Sequence, residues 1–212
     1  MTTAVDNDVL IKTALYGLVG DIATVPPFTG VTCVLAQARF VVPTWIRRRG
    51  SAGVEQALAA FDAFLTHAEL IEPSDEEIEL ASQLEDAAQR ARLPMDSGES
   101  LLCAAVVTRS LDLLLTGDKR AIASLERLRS SIDWLDGMSG RVGCLEQLIV
   151  ALSMALGPER VADLICGAAF VDTAIRVALG CTSRKPGSAV DTVGLDSYVA
   201  AVRADAPSLL MD

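Results

Sequence analysis

The sequence has few aromatic residues and one histidine. Aromatic side chains make up 4% of its 212 residues, so we expect an aliphatic core of Leu, Val, Ile and Ala. The lone His67 excludes a His-rich metal site and most Ser-His or Cys-His catalytic triads. No C-x-x-C spacing occurs among the five cysteines, Cys33, Cys103, Cys144, Cys166 and Cys181. We therefore expect small buried thiols in a reducing compartment, not a zinc or redox site.

Membrane and export signals are also missing. The N-terminus has no basic stretch followed by an apolar run, so we expect no signal peptide. The most apolar C-terminal segment, 161–179, contains Asp163, Asp172 and Arg176, which a membrane span would tolerate poorly. We expect a soluble, cytoplasmic protein with no membrane partner. The net charge of −10 argues against a broad basic face that coats nucleic acid, but it is compatible with a local basic strip.

Short apolar runs alternate with helical patterns along residues 1–138. Strands are predicted at about 2–6, 70–71, 111–116 and 131–135, with a further short strand and a helix within 31–42. Helices are predicted over 12–18, 54–67, 74–92, 100–109 and 119–129. This order predicts an α/β fold: a three-layer α/β/α sandwich with a central, mainly parallel sheet.

The helix over 74–92 begins with a capping box, in which Ser74 caps and Glu77 reaches back to the cap. Four acids of this helix, including Glu77, are interpreted as a solvent-exposed face: Asp75, Glu76, Glu77 and Glu79.

The pattern changes after Gly137. Helices are predicted over 141–156, 158–179 and 192–203, and no strand is predicted there. We therefore divide the chain into an α/β domain, 1–138, and a C-terminal helical extension, 139–212. The extension is expected to pack on the sheet domain or on a second subunit.

Acidic residues follow the predicted strands and open one predicted helix. Asp6 and Asp8 follow the first strand, Asp96 and Glu99 lie on the turn into an Ala-rich helix, and Asp118 follows the strand that ends in Thr116. Ligands of parallel sheets bind beyond the carboxyl ends of the strands. Clustered carboxylates without His or Cys favour Mg²⁺ or Mn²⁺, which activate water and stabilise the leaving oxygen of a phosphodiester. Each acid also has a purely structural interpretation. Asp6, Asp8 and Asp96 could be helix caps, Glu99 could favour a helix start through the dipole, and Asp118 could belong to an ordinary strand-to-helix turn.

Three motifs resemble the PIN-domain family of nucleases over about residues 1–138. They are Val5-Asp6-Asn7-Asp8, Gly98-Glu99-Ser100 and Thr116-Gly117-Asp118. The resemblance implies a Mg²⁺- or Mn²⁺-dependent ribonuclease, commonly a homodimer, and many such relatives are toxins held by an antitoxin. It implies Asp6, Glu99 and Asp118 as catalytic residues, with Asp96 joining the metal ligands and with Asp8, Gln37 and Thr116 in support.

The sequence departs from the family at Gln37. The family usually carries a Glu in the helix after the first loop, and Gln37 is the nearest match here. A neutral amide would weaken metal binding, so Asp96 or Asp8 would have to compensate.

Basic residues are candidate phosphate contacts for RNA or single-stranded DNA. They are Arg47, Arg48 and Arg49 in a predicted turn with Gly50 and Ser51, then Lys119 and Arg120, and Arg184 and Lys185. Ordinary solvated surface is the alternative interpretation of each.

Two other functions stay open. Asp6-Asn7-Asp8-Val9 also resembles the opening of haloacid dehalogenase-like phosphatases, in which Asp6 would be the nucleophile and Asp8 the acid/base. That family needs a Ser or Thr ending a middle strand and a Lys before the late acids, and neither is well placed here. The second alternative is a catalytically inactive PIN-like module that binds a protein partner.

Overall fold

The computed structural model describes residues 1–49, 53–168, 170–190 and 192–212, with the side chain of Arg49 excepted. Within them a parallel sheet has the strand order β3-β2-β1-β4-β5. Its strands are β1 Thr2–Val5, β2 Val31–Leu35, β3 Glu69–Ile71, β4 Leu113–Thr116 and β5 Val142–Cys144. The predicted α/β class with a central parallel sheet is confirmed.

Helices cover both faces of this sheet. They are α1 Asn7–Tyr16, α2 Ala38–Arg49, α3 Val54–Leu65, α4 Asp75–Ala91, α5 Ser97–Thr108, α6 Lys119–Leu128, α7 Leu145–Leu156, α8 Pro158–Gly167, α9 Thr173–Ala178 and α10 Val193–Asp205. Successive residues of β4 point to opposite faces. Leu113 and Leu115 pack with α1, α3, α7 and α8, whereas Leu114 packs with α4, α5 and α6. The predicted three-layer sandwich is thus confirmed.

The predicted capping box at the start of α4 is present, but Glu77 is buried. Its carboxylate receives Arg109 Nε at 2.6 Å and Arg109 Nη2 at 2.7 Å, in addition to the backbone N–H of Ser74. The hydrogen bond from Arg109 is the main cause that lowers the pKa of Glu77 to about 2. The expectation of a solvated Glu77 was wrong, because no local pattern indicates that Arg109, 32 positions later, reaches it.

The last strand lies elsewhere than predicted. Residues 131–135 fall in two 3-10 helices, Arg129–Ser131 and Asp133–Met138, and β5 lies at Val142–Cys144. The apolar alternation of Ile132 and Trp134 imitates a strand, whereas a three-residue strand that contains Gly143 is too short to produce a pattern. The expectation that residues 139–212 hold no strand was therefore wrong. The division of the chain at residue 138 stays a prediction.

Two helix boundaries also differ from prediction. α1 begins at Asn7, five residues before the predicted start, because Asp6 caps it. The predicted helix 158–179 is broken into α8 and α9, the second of which starts at Asp172 as N-cap. Of the two acids that interrupt the apolar run 161–179, Asp172 is thus explained as a cap.

Cys166 and Cys181 form a disulfide, with Cα atoms 5.2 Å apart. This corrects the expectation of five reduced thiols: the break between α8 and α9 folds the chain back and brings the two cysteines together. Cys33, Cys103 and Cys144 are free and buried, as expected. Within the described ranges, no helix is both long and apolar enough to cross a bilayer.

Candidate active site

A cavity of about 720 Å³ lies at the carboxyl ends of β1, β2 and β4. Six of the predicted site residues line it: Asp6, Asp8, Gln37, Asp96, Glu99 and Asp118. Lys119 and Arg120 line it as well. Residues that are distant in sequence therefore meet because consecutive parallel strands end at one edge of the sheet.

Asp6 ends β1 and caps α1 from the bottom of the cavity. Its carboxylate accepts hydrogen bonds from the backbone N–H groups of Asn7 at 2.7 Å and Asp8 at 3.3 Å. Only 7% of the residue is exposed. Burial, then the nearby carboxylates of Asp8 and Asp96, raise the pKa of Asp6 to about 7. Asp6 thus caps α1 and also carries a carboxyl with a raised pKa, so capping the helix does not prevent it from being a site residue.

Glu99 enters the cavity from the first turn of α5. It forms a capping box with Asp96: Glu99 N–H donates to Asp96 Oδ1 at 2.8 Å, and Asp96 N–H donates to Glu99 Oε2 at 3.1 Å. Glu99 is 6% exposed, whereas Asp96 is exposed. Burial, then the negative charge of Asp96, raise the pKa of Glu99 to about 8. The ionised form of such a carboxyl is unfavourable without a nearby positive charge, so Glu99 is suited to bind a cation.

Asp118 follows β4 and caps α6. It accepts from the N–H of Arg120 at 2.8 Å and from Arg120 Nη2 at 2.9 Å. Burial acts to raise its pKa, but the hydrogen bonds from Arg120 outweigh burial and lower it. Thr116 links the two strand ends: its hydroxyl lies 3.5 Å from Asp6 Oδ2 and receives the N–H of Asp118 at 3.2 Å.

Lys12, which the sequence analysis did not identify, is a cationic residue that lines the cavity. Its ammonium lies 2.6 Å from Asp8 Oδ2 and 2.7 Å from Asp172 Oδ2. The carboxylate of Asp8 is therefore already paired with a cation. Asp96 is then the better placed acid to compensate for the weaker metal binding expected from the neutral Gln37. The i,i+4 spacing of Asp8 and Lys12 was the available signal, but Asp172 lies too far along the chain for any local pattern to reveal it.

Gly117 permits the close approach of Asp8 to the turn after β4. A Cβ at position 117 would stand 2.2 Å from Asp8 Oδ2 and 3.5 Å from Lys12 Nζ. Any side chain there would displace the Asp8 carboxylate from its ion pair.

Lys119 lines the cavity, but its ammonium is already engaged. It pairs with the buried carboxylate of Glu146 and lies 4.6 Å from the centre of the Tyr198 ring. Glu146 follows the end of β5 by two residues, as Asp118 follows the end of β4. It was missed because β5 itself was not predicted.

The other predicted phosphate contacts are not gathered at this cavity. Arg47 and Arg48 are exposed in the last turn of α2, so they lie on a helix and not on the predicted turn. Gly50, Ser51 and the side chain of Arg49 are outside the described residues.

Arg184 and Lys185 were expected on the surface as phosphate contacts. Arg184 is instead a structural residue, with a buried side chain that binds Asp163 Oδ1 at 2.7 Å. Lys185 is exposed and is not among the residues that line the cavity.

The donors at the cavity fit a hard divalent cation in their chemistry, since all are carboxylate or amide oxygens. They are not yet arranged around one point: the described residues contain no group of three His, Cys, Asp or Glu side chains that would hold an ion as placed.

Comparison with known proteins adds little to this geometry. No protein-family model matches the chain, and no curated protein has a significantly similar sequence. Among solved structures, VapBC2 from Rickettsia felis bound to a DNA fragment from their promoter aligns at 13% identity and a TM-score of 0.45. The alignment covers 67% of this chain and 97% of that one. Function is therefore inferred from the residues of the cavity.

Proposed function

We propose that the chain is a PIN-like, divalent-metal-dependent nuclease that hydrolyses phosphodiester bonds in RNA. The observation that carries the proposal is the meeting of Asp6, Asp96, Glu99 and Asp118 around one cavity at the ends of parallel strands. Two of these carboxyls, Asp6 and Glu99, are buried and have a raised pKa. Clustered acids of this kind are costly unless a cation binds among them.

The residues of the cavity would share the work. Asp6 and Glu99 would provide the inner ligands for Mg²⁺ or Mn²⁺, with Asp96 and Asp118 completing the set. The bound ion would lower the pKa of a water molecule and stabilise the leaving oxygen. Arg120, which now pairs with Asp118, would be released to contact phosphate when Asp118 turns to the ion.

The sequence motifs support the same proposal. The three motifs that resemble PIN-domain nucleases are far apart in the chain and meet at this cavity. The proposal therefore extends to the partners that the resemblance implies, which are single-stranded RNA or DNA, a second copy of the chain and an inhibitory protein.

A second candidate function is a catalytically inactive PIN-like module that binds a partner. The neutral Gln37 in the cavity and the ion pair of Asp8 with Lys12 favour it. The phosphatase alternative gains less support. In the described chain, β4 is the only strand that ends in Ser or Thr, and Lys119 is held by Glu146.

Calorimetric titration with Mn²⁺ tests the proposal. Wild type, Asp118→Asn and the surface control Asp62→Asn would be compared, followed by cleavage of a single-stranded RNA. Asn still caps helices well, so Asp118→Asn should fold. We expect the wild type and the control to bind Mn²⁺ and cleave RNA, and Asp118→Asn to lose at least tenfold in both. Absence of Mn²⁺ binding and of cleavage in the wild type would reject the nuclease and leave the inactive module.

A further inference from the structure

Helix α2 carries two exposed aromatic residues, and one of them, Trp45, lines the carboxylate cavity. Trp45 and Val41 line the cavity, and Trp45 remains 46% exposed. Phe40, one position before Val41, is 69% exposed. Exposed aromatic side chains next to a polar cavity favour a binding surface, because Trp, Tyr, Phe and Arg are enriched at interfaces.

Basic side chains accompany these rings. The Arg48 guanidinium lies 6.0 Å from the centre of the Trp45 ring, and the Arg39 guanidinium lies 5.6 Å from that of Phe40. Residues 38–49 contain four arginines and no acidic residue, in a chain whose net charge is −10. The helix is thus a local basic strip on an otherwise acidic protein.

Exposed aromatic rings, each with an arginine beside it, match one kind of ligand. Bases of a single strand stack on aromatic rings, and arginines neutralise the phosphates between them. Bases of a duplex are stacked on one another and cannot lie flat on a protein ring. A duplex would also gain only the electrostatic contacts.

We propose that Trp45 is a base-stacking platform and that helix α2 guides a single-stranded nucleic acid into the carboxylate cavity. This inference rests on the proposed nuclease function and names the residues of helix α2 that would hold its single-stranded substrate. Trp45 would hold the nucleotide next to the one that enters the cavity, and Arg48 would contact the adjoining phosphate.

Tryptophan fluorescence tests the proposal directly. The chain has two tryptophans, so Trp134→Phe leaves Trp45 as the reporter. This variant, with Asp118→Asn added to prevent cleavage, would be titrated with a 12-nucleotide single-stranded RNA and with the same sequence as a duplex. We expect the single strand to quench Trp45 fluorescence, and the duplex to leave it nearly unchanged at the same concentrations.

Substitution at position 45 separates stacking from general folding. Trp45→Leu should weaken single-strand binding about 5- to 100-fold and raise KM with little change in kcat, whereas Trp45→Phe should retain most of the affinity. The matched control is Phe170→Leu, which removes another exposed aromatic side chain that is not among the cavity-lining residues. Circular dichroism melting of each variant checks the fold.

The outcomes separate this inference from the nuclease proposal. If wild type cleaves RNA but Trp45→Leu binds and cleaves it with unchanged affinity and KM, stacking at Trp45 is rejected and the nuclease stands. If wild type neither binds Mn²⁺ nor cleaves, but single strands still quench Trp45, the platform stands and the nuclease is rejected. If Trp45→Leu instead dissociates a dimer in sedimentation without changing RNA affinity, α2 is a contact between copies and the inference is overturned.

Discussion

Asp172, the N-cap of α9, holds the ammonium of Lys12, a residue that lines the carboxylate cavity, at 2.7 Å. The same ammonium binds Asp8, which stands in the first turn of α1. The two carboxylates keep Lys12 charged: burial acts to lower its pKa, but Asp8 and Asp172 outweigh burial and raise it. The C-terminal helices thus hold a residue that lines the cavity through an ion pair, although they were expected only to pack on the sheet domain or on another subunit.

The first prediction concerns this ion pair. Asp172→Asn removes one of the two charges that hold Lys12, and Asn still caps α9. We expect the free energy of unfolding to fall by about 1.5–3 kcal/mol, since a hydrogen bond to a mostly buried charged group is lost. Urea denaturation measures the change. Asp62→Asn, on the exposed face of α3, serves as the control and should lie within about 0.5 kcal/mol of wild type. Equal urea midpoints for Asp172→Asn and wild type would show that the ion pair of Asp172 with Lys12 does not contribute to stability.

The second prediction follows from the raised pKa of Glu99. Without metal, folded Glu99 holds its proton up to about pH 8, whereas the unfolded chain releases it near its ordinary value of 4.5. The folded state therefore binds more protons between these values, so its stability falls as pH rises from about 5 to 8. Glu99→Gln does not titrate and escapes this loss.

Denaturation in a metal chelator at pH 5 and pH 9 measures the effect. The stability of Glu99→Gln relative to wild type should rise by about 1–3 kcal/mol between the two pH values. Added Mn²⁺ should reverse the order at pH 9 by stabilising the wild type alone. The exposed Glu79→Gln is the control. A constant difference across pH would mean that Glu99 is already ionised at pH 5 in the folded protein.

The third prediction concerns Gly117. Gly117→Ala would push the Asp8 carboxylate away from Lys12, because the new methyl group would stand 2.2 Å from Asp8 Oδ2. We expect a loss of about 0.5–1 kcal/mol in unfolding free energy, because the Asp8 side chain can turn away and only its partly exposed ion pair is lost. In an Asp8→Ala background the clash disappears, so the same glycine substitution should cost much less there. Gly20→Ala, whose new methyl group would meet no atom within 4 Å, is the control. Additive costs in the Asp8→Ala, Gly117→Ala double variant would refute the coupling.

The fourth prediction concerns the disulfide of Cys166 with Cys181. It closes a loop over a sequence separation of 15 residues, and such a closure stabilises a folded chain by about 3 kcal/mol. We expect a dithiol reductant to lower the thermal midpoint of the wild type. The Cys166→Ser, Cys181→Ser double variant should melt at the lower temperature with or without reductant. A wild-type midpoint that does not respond to reductant would count against the bond.

Local patterns were sufficient to predict most of the sheet and the acids at its edge. The strand that ends in Thr116 and the cap at Ser74 were recognisable because their signals lie within a few adjacent residues. Parallel strands then bring Asp6 and Asp118 to one edge, and the first turn of α5 adds Glu99 there, without any knowledge of side-chain contacts.

The contacts that were missed join residues far apart in sequence. Arg109 with Glu77, Lys12 with Asp172 and Glu146 with Lys119 are separated by many turns of chain, and no periodicity encodes them. β5 escaped prediction because it is three residues long, and the disulfide because an expected reducing environment excluded it.

The outer side of β5 is covered by residues 208–211. Val142 N–H donates to Leu209 O at 3.0 Å, Met211 N–H donates to Val142 O at 2.8 Å, and Gly140 N–H donates to Ser208 O at 2.9 Å. An uncovered strand edge is a template on which another chain can add. With this end of the sheet closed, β3 is the edge strand left among the described residues through which a sheet could continue from one copy of the chain into the next. Two β3 edges that meet leave no further edge to extend, so such growth stops at a closed pair and cannot produce a fibre.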